Sequence, residues 1–95
     1  MMLNYFELSA FPNPFNALTA ISFQLPAASY VSLRIFDVTG RSVGAIHESP
    51  LPHNQYLSAG SHSVVFDAKD LSSGVYFVRL EAGELSQARK ILLVK

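Results

Sequence analysis

Cysteine and tryptophan are both absent from this 95-residue chain. The first absence excludes disulfide staples and thiolate metal sites. The second removes the best stacking residue for a sugar platform. An excess of charge is missing too: seven Lys and Arg balance seven Asp and Glu. A surface that binds nucleic acid or anionic lipid is strongly basic, so neither class of partner fits. The seven cations are scattered, and only Arg89 and Lys90 are adjacent. Apolar runs reach just four residues, as in Ile91–Val94, against the ~20 a membrane helix needs. No transmembrane segment is therefore expected. Nor does the N-terminal stretch have a basic segment followed by an apolar one, so an export signal would belong to a longer parent.

Helical periodicity is also lacking, and in its place is alternation. Ile21, Phe23 and Leu25 fall on one side of an extended chain, with Ser22 and Gln24 on the other. Pro26 removes the next ladder donor and ends that strand. Val31, Leu33 and Ile35 repeat the pattern within 29–37. Asp37-Val38-Thr39-Gly40 has the residues of a tight turn, and predicts a hairpin into a strand over 42–48. Residues 49–60 hold Pro50, Pro52, Asn54 and Gly60 and read as one long loop. Strands follow over 61–67 and 74–82, with Val64, Phe66, Tyr76 and Phe77 placed for core packing. Asp70 is positioned to cap the Leu71-Ser72-Ser73 turn. Gly83-Glu84 turns the chain into a last strand ending at Lys95. With a strand near 5–10, this gives seven strands and no helix.

Seven short antiparallel strands spaced about ten residues apart predict an all-β fold: an immunoglobulin-like Greek-key sandwich forming a single domain, residues 1–95. Leu71, Gly74 and Tyr76 have the spacing of a tyrosine corner, where the phenol bonds upstream backbone at the sixth strand.

No catalytic constellation can be assembled, so an enzyme is not expected. His47, His53 and His62 lack metal-ligand spacing, and Asp37, Asp67 and Asp70 lack the alternation of a calcium loop. No metal or other cofactor is expected. No serine lies in a nucleophile elbow, and there is no phosphate loop.

The segment Pro12-Asn13-Pro14-Phe15-Asn16 carries more than composition. In order along the chain follow Thr19 to Pro26, Val31 to Val38 with Gly40-Arg41, Leu57 to His62, Asp67, Leu71 to Leu80 around Gly74-Val75-Tyr76-Phe77, and Arg89 to Lys95. This ordered set resembles the type IX secretion C-terminal sorting domains (type A family) of Bacteroidetes and related bacteria, over about Tyr5 to Lys95. The resemblance implies an immunoglobulin-like domain at the end of a larger secreted cargo protein. That parent would pass through the periplasm, be recognised by the outer-membrane type IX translocon, and reach the cell surface or medium. In many members a surface sortase removes the domain and joins the cargo to a lipopolysaccharide anchor. By position, the recognition signal maps to Gly74, Val75 and Tyr76 and to Lys90, Ile91, Leu92, Leu93, Val94 and Lys95. Pro12, Asn13, Pro14, Asp37, Gly40, Leu71, Gly74 and Tyr76 map to structural motifs. The eight residues Ser49 to Tyr56 stand out as an insertion relative to the family.

The apolar last strand is either covered within the sandwich or a docking edge for strand addition. The prolines are expected to stop the first strand and hold an extended lead into the domain. A polysaccharide-binding accessory module and a passive immunoglobulin-like spacer are the alternatives that the same fold would host.

Overall fold

The alternation in sequence becomes two-sidedness in the fold. A computed structural model describes residues 7–43 and 53–95. It has seven strands: β1 (Leu8–Phe11), β2 (Leu18–Leu25), β3 (Ser29–Phe36), β4 (His53–Leu57), β5 (Gly60–Asp67), β6 (Gly74–Ala82) and β7 (Leu85–Leu93). The described residues contain no helix. A three-stranded sheet has the order β1-β2-β5, and a four-stranded sheet the order β4-β3-β6-β7. All pairings within the sheets are antiparallel. This is the immunoglobulin-like sandwich that the spacing of strands predicts.

The core is the sum of the alternating faces. Ile21, Phe23 and Leu25 of β2 meet Val31, Leu33 and Ile35 of β3, and all six are at most 3% exposed. Val78, Leu80, Ile91 and Leu93 complete the four-stranded side, and Leu8 and Phe66 the other. Fully burying each such side chain contributes roughly 1.5–3 kcal/mol, which offsets the ordering entropy of a small domain without disulfides.

The tyrosine corner forms as expected. The Tyr76 hydroxyl donates to the Ser72 carbonyl at 2.7 Å, its ring is buried, and Leu71 packs beneath the turn. Tyr76→Phe keeps the ring and strands that carbonyl. The expected cost is about 0.5–1.5 kcal/mol, read as a lower urea midpoint at unchanged slope.

The Asp37 turn also forms. Gly40 N–H donates to the Asp37 carbonyl at 3.0 Å, and Gly40 takes φ +89°, a value that favours glycine. Asp37 Oδ1 accepts from the Thr39 hydroxyl (2.6 Å), the Thr39 N–H (2.9 Å) and the Arg41 N–H (3.1 Å). Arg41 Nε lies 3.4 Å from Oδ2. The Thr39 hydroxyl holds the Asp37 carboxyl below its ordinary value, against some desolvation; the two N–H groups and the Arg41 charge act in the same direction as the hydroxyl. A carboxyl lowered on folding stabilises the folded state above its unfolded value of about 3.9. That contribution is lost as pH falls further, through the folded value. Asp37→Asn is therefore expected to flatten the acid limb of the stability curve below about pH 4, as measured by thermal melts across pH.

Of four expectations, three need correction and the second is described only in part. Residues 53–57 are not loop but β4, which pairs with Ser29–Ser32 of β3. The return from the Asp37 turn is seen only at its start, where Ser42 bridges Phe36 and Val43 N–H donates to the Ile35 carbonyl. The rest of the strand expected over 42–48, with His47, lies outside the described residues. Three residues of β3 separate Phe36 from Ser32, while ten separate their partners Ser42 and His53. Ser42 and His53 thus both pair along the same side of β3, which runs unbroken past them. Third, the acid in the 67–71 turn is Asp67, which accepts from Lys69 N–H at 3.0 Å; Asp70 follows the position that can cap. Fourth, Phe77 points away from the core and is 37% exposed, because it alternates with Tyr76 and Val78. The first strand is described from Leu8, so the expected start at Tyr5 lies outside the described residues.

Candidate recognition site on the C-terminal strand

β7 borders the four-stranded sheet, next to β6. Its register sets Gly74 opposite Leu93, Val75 opposite Leu92 and Tyr76 opposite Ile91. The two segments marked for recognition, far apart in sequence, are thus side by side. The pleat divides them by role. Tyr76, Ile91 and Leu93 are buried in the core, where no partner of the folded domain can touch them. Lys90, Leu92, Val94 and Lys95 are exposed, with Leu92 at 38% and Val94 at 49%, and Val75 is half-buried beside Leu92.

A bare edge strand exposes unpaired N–H and C=O groups that invite pairing. Here the segment between β1 and β2 covers the end of that edge. Asn13 Nδ2 donates to the Lys90 carbonyl at 3.2 Å, and Leu92 N–H donates to Asn13 Oδ1 at 3.0 Å. The side-chain amide has one donor and one acceptor facing the strand, so it substitutes for a peptide unit. Phe15 continues with real backbone: its N–H donates to the Leu92 carbonyl at 2.9 Å, and Val94 N–H donates to its carbonyl at 2.9 Å. Pro12 and Pro14 have no N–H to offer; Phe15 donates through its backbone and Asn13 through its side-chain amide. The Phe15 ring is 2% exposed, 6.2 Å from that of Phe66. The Thr19 hydroxyl donates to the Pro12 carbonyl at 2.8 Å and fixes the start of the segment.

Both readings of the last strand therefore need refinement. It is an edge by strand order, yet its backbone from Lys90 to Val94 is already paired. What it leaves open there is the outer face. The role of the prolines is broader than stopping β1, since they carry a clamp to the opposite sheet. Sequence reasoning did not foresee this pairing; the signal available was an amide side chain between two residues that cannot donate.

Two further contacts tie down the end of the strand. Lys95 N–H donates to Ser73 Oγ at 3.0 Å, and its ammonium to the Lys69 carbonyl at 2.6 Å. Arg89 Nε donates to the Leu8 carbonyl at 2.8 Å, joining β7 to β1 across the sandwich.

A hollow of about 420 Å³ lies beside Glu7, Ser22, His62 and Ser63. His62 stacks on Phe23, with ring centres 5.4 Å apart, and its Nε2 is 2.8 Å from the Ser58 carbonyl. Ser22 Oγ donates to Ser63 Oγ at 3.4 Å. Asp37 and Asp67 spend carboxylate oxygens on their own turns, and the described residues form no group of three His, Asp or Glu suited to a metal. No helix among them is long and apolar enough to cross a membrane.

Comparison with known families gives a match that spans nearly the whole chain. The family described as secretion system C-terminal sorting domain covers residues 9–95. It takes in the clamp segment, the tyrosine corner and the whole of β7. No curated protein matches the chain. Such a domain serves type IX secretion, with export to the cell surface or the medium. The chain belongs to the secretion system C-terminal sorting domain family.

Proposed function

We propose that this chain is a non-catalytic signal that the outer-membrane type IX translocon reads as a folded domain, directing an upstream cargo protein to the cell surface and holding it there. Recognition uses the joined end of β6 and β7: Gly74 and Val75 from one strand, Lys90, Leu92, Val94 and Lys95 from the other. Tyr76, Ile91 and Leu93 serve it from beneath as supports. The observation that carries this reading is the register that sets Val75 against Leu92, on a strand whose edge is paired while its outer face stays exposed. A machine that exports unrelated cargoes needs one constant, rigid surface, and this pairing supplies it without asking anything of the cargo.

The test is a fusion of residues 1–95 to the C-terminus of a fluorescent reporter bearing a signal peptide. It is expressed in a host with a type IX system and in a translocon-deficient strain. The expected result is reporter outside the periplasm in the competent strain only. Retention in the periplasm of both strains, with the domain folded, overturns the reading. Reporter that stays with washed cells indicates attachment, and exported reporter lacking the domain indicates processing by a sortase.

A further inference from the structure

The outer face of the four-stranded sheet has an unusual arrangement of charge. Arg34 on β3 stands directly opposite Arg79 on β6. Like charges in that position work against sheet pairing. Glu81 answers Arg79 at 3.0 Å. Arg34 has no hydrogen bond or ion pair with any described residue. Ser32, Arg34, Phe36, Arg79 and Glu81 line a shallow concavity of about 100 Å³.

The next rows are apolar. Phe36 stands opposite Phe77, which stands opposite Lys90; then Val75 stands opposite Leu92. Phe77 and Leu92 are 37% and 38% exposed. The face therefore combines a guanidinium pair, with one counter-charge between them among the described residues, and an adjoining apolar strip. Lys90, one of the residues assigned to recognition, extends the cationic side.

We propose that this face docks an acidic, apolar segment of a protein partner, with a carboxylate held between Arg34 and Arg79 and apolar side chains laid along Phe36, Phe77 and Leu92. Planar guanidinium groups recognise carboxylates by paired hydrogen bonds, and a bound carboxylate replaces repulsion between the two arginines with attraction to both. The apolar strip selects protein over a phosphorylated glycan, which would leave Phe36, Phe77 and Leu92 uncovered. A second copy of this chain is a poor occupant, since it would set Arg34, Arg79 and Lys90 against their own kind. That the partner is a component of the export machinery rests on the sorting function proposed above; the chemistry of the face does not.

Two measurements test this separately. The first titrates the isolated chain with a peptide of alternating glutamate and leucine, and with its glutamine counterpart, following backbone amide shifts. The expected result is saturable shifts on β3, β6 and β7 with the glutamate peptide, weakened by added salt. Affinity should fall at least about tenfold in Arg34→Glu/Arg79→Glu. Arg34→Glu alone, which places opposite charges across the strands, is expected to melt no lower than the parent, so its loss of binding cannot come from unfolding. Equal binding of the glutamine peptide, undiminished binding by the double variant, or no saturable shift overturns the proposal.

The second measurement uses the reporter fusion, with Ser61→Glu, at an exposed position on the other sheet, as a charge control. Export is expected to survive Ser61→Glu and to drop at least about tenfold in the double variant. If the parent fusion is exported and the double variant equally so, this face is not the docking surface for export. If the parent fusion itself is not exported, the sorting function fails, and the peptide titration still decides the chemistry of the face.

Discussion

Ile91→Ala is expected to destabilise the domain by about 2–5 kcal/mol, while Leu92→Ala costs less than about 1 kcal/mol. The two residues are neighbours on β7, yet the pleat sends them opposite ways. Ile91 is fully buried between the sheets, and truncating it leaves a cavity that tight packing cannot close. Leu92 is 38% exposed and rests on Val75, so its loss removes modest contact and opens no void. Against a total stability of roughly 5–15 kcal/mol, the first change consumes much of the margin. Urea unfolding of the isolated chain measures both. In the export assay the pair separates folding from recognition: Leu92→Asp with Val94→Asp should keep the fold and lose export, and Ile91→Ala should lose export only in proportion to its unfolding. Equal destabilisation by Ile91→Ala and Leu92→Ala would contradict the division of the strand into support and surface.

Breaking the clamp has an effect of similar size with a different signature. Phe15→Ala removes a buried ring and is expected to cost about 3–5 kcal/mol. Asn13→Ala removes two hydrogen bonds at the surface, each contributing about 0.5–1.5 kcal/mol. Its more telling consequence is at the sheet edge. With the amide gone, the Leu92 N–H and the Lys90 carbonyl lose the partners that cover them, and an uncovered apolar edge invites pairing between chains. Amide hydrogen exchange at Leu92 should accelerate, and light scattering should show association that rises with concentration. Unchanged protection at Leu92 in Asn13→Ala would mean that the side chain does not act as the missing peptide unit.

The sequence carried the core well because burial in a sandwich obeys a period of two. Ile21, Phe23, Leu25, Val31, Leu33 and Ile35 could be assigned by alternation alone, and the Tyr76 corner by its spacing from Leu71 and Gly74. Phe77 was misassigned because its bulk outweighed its parity: it sits between Tyr76 and Val78, and a strand cannot bury all three. β4 was missed because Pro50 and Pro52 precede it and Asn54 lies within it. It forms through pairing with β3, a long-range contact that outweighs local composition. Asp67 and Asp70 show the same limit at short range, since both are acids beside one turn and only geometry distinguishes the acceptor. At the candidate site, the sequence marks the two segments proposed for recognition, but their adjacency was not visible, nor was the pairing of Asn13 with residues more than seventy positions away. Hydrogen bonds between side chain and backbone have no period to read.

The clamp also bears on when the signal becomes legible to its reader. Within the domain, Asn13 and Phe15 leave the ribosome well before Lys90 to Val94, yet each segment needs the other to settle. A chain that stops short of β7 has neither the outer surface nor the partner that orders the early segment. If the platform is what the translocon reads, as proposed, it works as a certificate of completion: a cargo cut short before β7 would lack its export pass, however well the domains ahead of it had folded.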